Sequence, residues 1–348
     1  VADEYLPLTI RIYYKLNQPL NGLQFVKPTT EAPHRVPHIY TTPSCADWAR
    51  CWTPCLDSLW ERCTWQLDFV VPKFLALGTA AEANVDEDGA DEVLVVCSGD
   101  LVERTTHPHN PDKVIFSYLH ASPTSVQHIA FAAGPFSMHT IAKQPSSKKP
   151  GGGANDTSAN LAESAGPQVM GFCLPGREEE MVHSIGFTRQ ALDFFARDYG
   201  SFPFGSFKMV FVDEPLVDCH IGSTLSICSS DILHPSNIVD QAYETHHILS
   251  HAIAFQWVGI NIIQRSWSDT WLIHGISLHM TSLFLRRIWG NNEYRFRLKK
   301  DIDRLVAWDI AMPPLFQPGM TEPPDSGFLP FLNLKAPLVL FILDRRLS

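Results

Sequence analysis

Residues 246–257 read HHILSHAIAFQW, which places three histidines on a stretch whose apolar residues recur at helical spacing. Histidines four residues apart on a helix share a face and can hold one divalent metal ion between them. Such a pair hydrolyses a substrate when a glutamate directly follows the first histidine, as in H-E-x-x-H, because that carboxylate takes the proton of the metal-bound water. Two registers satisfy the spacing: His247 with His251, or His251 with position 255, which is Phe255. Neither carries the base, since Ile248 follows His247 and Ala252 follows His251.

The surrounding chain has to position this stretch. With 348 residues, 45% hydrophobic and 18% charged, it can bury a sizeable core, and its length suggests two domains or one large one. The opening, VADEYLPLTI, lacks the features of a signal peptide, and no apolar run is long enough to span a membrane. A start without Met and an end at LDRRLS inside a helix-like pattern suggest part of a longer chain. Eight cysteines with no C-x-x-C pair fit buried, reduced thiols in an intracellular compartment, with a metal site on Cys51, Cys55 and Cys63 as the alternative. A net charge of -10 argues against a surface devoted to nucleic acid.

Short alternating or β-branched runs dominate the first part: LTIRIYYKL, CTWQLDFVV, DEVLVVCSG, KVIFSYLH and VQHIAFAAGPF, separated by turn residues. They predict a multi-stranded antiparallel region. Lys143 to Gln168 then loses nearly all aliphatic content and reads as a flexible insertion, within which the Asn155 sequon carries no meaning for an intracellular chain. Beyond it, 177–200 has helical periodicity with acids in its first turn, FKMVFVDEP is a strand, and helices are expected over 243–259, 270–288 and 291–309. The class is therefore α+β, divided as 1–175, β-rich, and 176–348, mixed with a helical end.

Two landmarks choose between the registers. HAIAFQWVG at 251–259 is followed by WSDTWLIHG at 267–275, with eighteen residues between Phe255 and His274. These segments resemble H-E-x-x-H-Q-W-F-G and W-x-D-x-W-L-x-E-G of the gluzincin zinc aminopeptidases, the family that includes aminopeptidase N. ARCWTPCLDSLWERCTWQLDF, YGSFPFGSFKMVFVDEP and FLNLKAPLVLFIL extend the resemblance along the chain. It implies a saddle-like β domain, then a thermolysin-like domain, with a helical repeat region beyond. It also sets His251 on the first zinc ligand, Ala252 on the general base, Phe255 and His274 on the other ligands, and Asn333 on the tyrosine that stabilises the oxyanion. The amine-binding G-x-M-E-N motif falls near VDCHIGSTLSIC, where no glutamate stands.

ARCWTPCLDS, WSDTWLIHGIS and GNNEYRFRLKKDIDRLV together resemble an inactive, fungal-type branch of this family found among the TATA-box-binding-protein-associated factors of general transcription factor IID. That resemblance implies a nuclear scaffold that joins the other subunits and helps the complex recognise promoter DNA as RNA polymerase II transcription starts. It implies no catalysis, cofactor, small-molecule substrate or membrane. Two alternatives remain open. One is a zinc hydrolase rebuilt on His247, His251 and His274, against histidines that only solvate or hydrogen-bond. The other is a DNA-binding module using Arg286, Arg287, Arg295, Arg297, Lys299 and Lys300, against a solvated helix face neutralised by Glu293, Asp301 and Asp303.

Overall fold

The structure, a computed structural model, describes residues 8–75, 92–142 and 166–347. Residues 143–165, the bulk of the expected insertion together with its sequon, lie outside the described residues.

Strands form where the sequence alternates. β1 (Leu23–Val26), β2 (His38–Thr41), β4 (Leu94–Cys97) and β7 (Phe131–Gly134) make a sheet of order β1-β2-β7-β4. β3 (Arg62–Pro72), β5 (Asp100–Thr106) and β6 (Lys113–Ser125) make a second, of order β3-β6-β5. All their pairings are antiparallel. The expected strand over LTIRIYYKL is a correction: residues 8–16 belong to no strand, and Leu8, Ile10, Ile12 and Tyr13 are exposed. Alternation makes a strand only where a neighbour completes its hydrogen bonds and covers one face, and among the described residues no strand pairs with this segment.

A third sheet crosses the middle of the chain. β8 (Ser137–Thr140), β9 (Gln168–Cys173), β10 (Ser206–Val212), β11 (Cys219–Ile221) and β12 (Leu225–Ser229) take the order β11-β12-β10-β9-β8. β9, β10 and β12 run parallel, while β8 and β11 are antiparallel edges. Every residue of β10 is buried, as a central parallel strand covered on both faces requires. Strands from both sides of residue 175 thus share this sheet.

Among the described residues, the α-helices lie after residue 175: α1 (Glu178–Ile185), α2 (Thr188–Tyr199), α3 (Ala242–Trp257), α4 (Thr270–Trp308) and α5 (Phe328–Leu347). The single helix expected over 177–200 is two, parted at Gly186 and Phe187 and ended by Gly200 at φ 93°. Gly290, at φ 87°, breaks α4 between the two expected helices, because a left-handed residue cannot continue an α-helical ladder. Leu192, Phe195, Met209, Phe211, Ile253 and Phe284 join sheet and helices in one core. No helix among the described residues is long and apolar enough to cross a membrane.

One tryptophan of the first part, Trp60, docks onto the helical part. Trp60 donates its indole N–H to the Gln264 carbonyl at 2.8 Å and stands edge-on to Trp267 at 5.1 Å. Arg62 donates to the carbonyls of Ile260 and Asn261, both at 3.1 Å. Together they fix the loop that joins α3 to α4.

Candidate functional site

α3, α4 and α5 meet the β11–β12 hairpin around a cleft of about 690 Å³, onto which His247, His251, Phe255, His274 and Asn333 all open. Of the residues set together by the second register, His251, Phe255 and His274 therefore share one cavity. Ala252 does not reach it; its methyl group is 1% exposed within the core of the sheet and helices.

Phe255 occupies the space between two histidines. Its ring centroid is 5.6 Å from that of His251 and 5.6 Å from that of His274, edge-on to both. Ile260 and Ile273 pack around it as a small apolar cluster. Gly259 makes room for the ring: its φ is 142°, and a Cβ there would lie 2.3 Å from Phe255 Cε1. The Q-W-x-G spacing thus serves to seat a benzyl side chain.

Hydrogen bonds fix the tautomer of His251. Ser277 Oγ donates to the His274 carbonyl at 3.0 Å, so the 3.2 Å contact between His251 Nε2 and Ser277 Oγ is an N–H donated by the imidazole. Burial pushes the His251 pKa down to about 3, and repulsion from His247 and His274 adds to the shift. Burial also takes His274 down to about 4, opposed by the side chain of Asn333. His247 is lowered chiefly by burial, with Glu244 and Asp301 opposing, and stacks on Tyr243 with the planes at 14°. His246 faces another way, accepting the indole N–H of Trp289 at 3.1 Å.

Zinc is the ion that the sequence resemblance implies, and these side chains do not fit it. A catalytic site supplies three protein ligands to one ion. Here an apolar ring separates His251 from His274, and the Nε2 proton of His251 is committed to Ser277. Among the described residues, no three His, Cys, Asp or Glu side chains are grouped to hold a metal ion, whether His247, His251 and His274 or Cys51, Cys55 and Cys63.

Gln256 has a role that its spacing did not reveal. Its Oε1 accepts the Thr224 N–H at 2.9 Å and its Nε2 donates to the Gly222 carbonyl at 3.0 Å, so α3 clamps the β11–β12 turn. Full burial of an amide signals such a bond, but burial is not visible in sequence. Arg297 was also placed by sequence on an open face. Instead its guanidinium lies 4.0 Å over the Tyr243 ring, beside the cleft, and its Nε donates to Glu293 at 2.7 Å.

The rest of the basic stretch divides in the same way. Lys299 pairs with Asp303, while Arg286 lies over Tyr294 at 5.5 Å and Lys300 over Phe296 at 5.5 Å. Arg287 and Arg295 are exposed. Opposite charges one helical turn apart thus take up part of the positive charge that a phosphate would need.

No protein-family profile matches the chain. Over its full length it is 35% identical to transcription initiation factor TFIID subunit 2 of Schizosaccharomyces pombe and 29% identical to that of Gallus gallus. It spans about a third of these relatives, 32% of the first and 28% of the second. A probable aminopeptidase of Sulfurisphaera tokodaii is 22% identical over 39% of the chain, which covers 18% of that relative.

Proposed function

From its kinship with transcription initiation factor TFIID subunit 2, we propose that this chain is the inactive aminopeptidase-like part of a scaffold subunit of general transcription factor IID. It works in the nucleus, where it joins other TATA-box-binding-protein-associated factors and contributes to promoter recognition as RNA polymerase II transcription starts. Relatives of that name match over its whole length, and the likeness to a probable aminopeptidase supports the origin of the fold. The same reading takes 1–175 as a saddle-like β domain and 176–348 as a degenerate thermolysin-like domain.

The observation that carries the loss of catalysis is the Phe255 ring lodged between His251 and His274. In this reading Phe255 and His274 stand at two ligand positions, Ala252 at the base and Asn333 at the oxyanion donor. Removal of the base, a ligand and the oxyanion donor takes away the water activation and the electrostatic stabilisation on which hydrolysis depends. Promoter DNA is met through the assembled complex. Zinc analysis of the purified protein beside an aminoacyl-amide hydrolysis assay tests this. Sub-stoichiometric zinc and no turnover are expected; stoichiometric zinc with turnover abolished by His251→Ala overturns it.

A further inference from the structure

The β11–β12 hairpin carries two cysteines at one rung. Cys219 pairs with Cys228 across the antiparallel ladder, and their sulfurs are 3.1 Å apart. On either side of this rung are hydrogen-bonded ones: the Ser229 N–H donates to the Asp218 carbonyl at 2.8 Å, and the Gly222 N–H donates to the Leu225 carbonyl at 2.9 Å. Counting inward from each by the two-residue alternation of an antiparallel ladder makes Cys219 and Cys228 a non-hydrogen-bonded pair, the rung at which facing Cα atoms come closest, about 4.5 Å. That separation lies within the range a disulfide spans.

Access to the two sulfurs differs. Cys219 is partly exposed and lines the cleft, whereas Cys228 is fully buried behind it. The second thiol at the cleft, Cys45, lies 3.9 Å from His220 Nδ1. We propose that Cys219 and Cys228 form an oxidisable dithiol site, which a small-molecule disulfide such as oxidised glutathione converts to a cross-strand disulfide.

The order of events follows from burial. Cys219, reached through the cleft, attacks one sulfur of the oxidant as a thiolate; a Cys219–glutathione bond forms, the oxidant's S–S bond breaks, and the departing thiolate takes up a proton. Cys228 holds its proton strongly, because it is hydrogen-bonded to Cys219 and buried behind it, so it reacts second. Its sulfur attacks that of Cys219, the second glutathione leaves, and the proton of Cys228 goes with it. Two protein thiols are oxidised and one small-molecule disulfide is reduced to two thiols. The product staples the hairpin whose turn Gln256 holds against α3.

The test exposes the full-length protein to oxidised glutathione under native conditions, blocks residual thiols, and maps the digest by mass spectrometry. A Cys219–Cys228 cross-linked peptide that disappears on treatment with dithiothreitol is the expected result. Cys228→Ser should instead accumulate a lasting glutathione adduct on Cys219, with its fold checked by circular dichroism. Either of two outcomes in the natural sequence overturns the proposal: Cys228 recovered as a free thiol beside a stable Cys219 adduct, or Cys219 joined to Cys45.

Discussion

Phe255 and His274 meet edge to face, ring centroids 5.6 Å apart and planes at 66°, where the aminopeptidase spacing would place two metal ligands. The His274 imidazole is thereby packed against an apolar ring. The cleft around it persists at about 690 Å³.

Phe255 is 8% exposed and surrounded by Ile260 and Ile273. Phe255→Ala should cost about 3 kcal/mol by the usual penalty for emptying a packed aromatic site. Equilibrium unfolding in urea measures it, and a loss below about 1 kcal/mol would mean that the ring does not hold the site together.

Gly259 depends on the same ring. Gly259→Ala places a methyl group 2.3 Å from Phe255 Cε1 on a backbone at φ 142°, so it should destabilise the chain by about 2 kcal/mol or more. Combined with Phe255→Ala, the clash disappears and only the backbone strain remains. The double variant should therefore lose less than the sum of the two single losses, by a coupling of about 1 kcal/mol.

Gln256→Leu removes both partners of the β11–β12 turn and leaves a buried N–H and a buried carbonyl unpaired. A loss of about 2–4 kcal/mol is expected. Hydrogen exchange at the Thr224 amide, in the turn, should accelerate before β12 responds; an unchanged amide would contradict the clamp.

The buried histidines make stability depend on pH. An ordinary histidine titrates near 6.5, whereas folded His251 and His274 titrate near 3 and near 4. Below pH 6.5 the unfolded chain takes up protons that the folded one refuses, so stability is full above that pH and falls as pH drops towards 4 and 3. At pH 5 each group should cost roughly 2 kcal/mol. His251→Gln should flatten the curve between pH 6.5 and 4, and an unaltered slope there would show that His251 titrates normally in the fold.

Of the six basic residues in 286–300, Arg287 and Arg295 are exposed and are neither ion-paired like Lys299 nor set over a ring like Arg286, Arg297 and Lys300. In a promoter-bound complex, Arg287→Ala and Arg295→Ala should each lower the salt slope by about one, and Lys299→Ala should leave it unchanged. The reverse pattern would exclude this face as described.

Much of the fold was legible because periodicity reports burial directly. β10, apolar but for Ser206 and Lys208, is buried throughout, and the helix expected over 243–259 forms as α3. Gly290 separated two helices in sequence as it does in space. LTIRIYYKL misled because alternation says nothing about whether a partner strand is present. At the site, the spacing from Gln256 to His274 grouped His251, Phe255 and His274, the likeness of FLNLKAPLVLFIL added Asn333, and all four open onto one cleft. The Gln256 clamp and the Arg297–Tyr243 stack were hidden, since each joins segments far apart in sequence.

The most direct measurement is affinity purification of the full-length protein from its own cells, with mass spectrometry of what travels with it. Co-purification of other TATA-box-binding-protein-associated factors in comparable amounts is the predicted result. A protein recovered alone, carrying zinc and hydrolysing aminoacyl amides, would contradict the account.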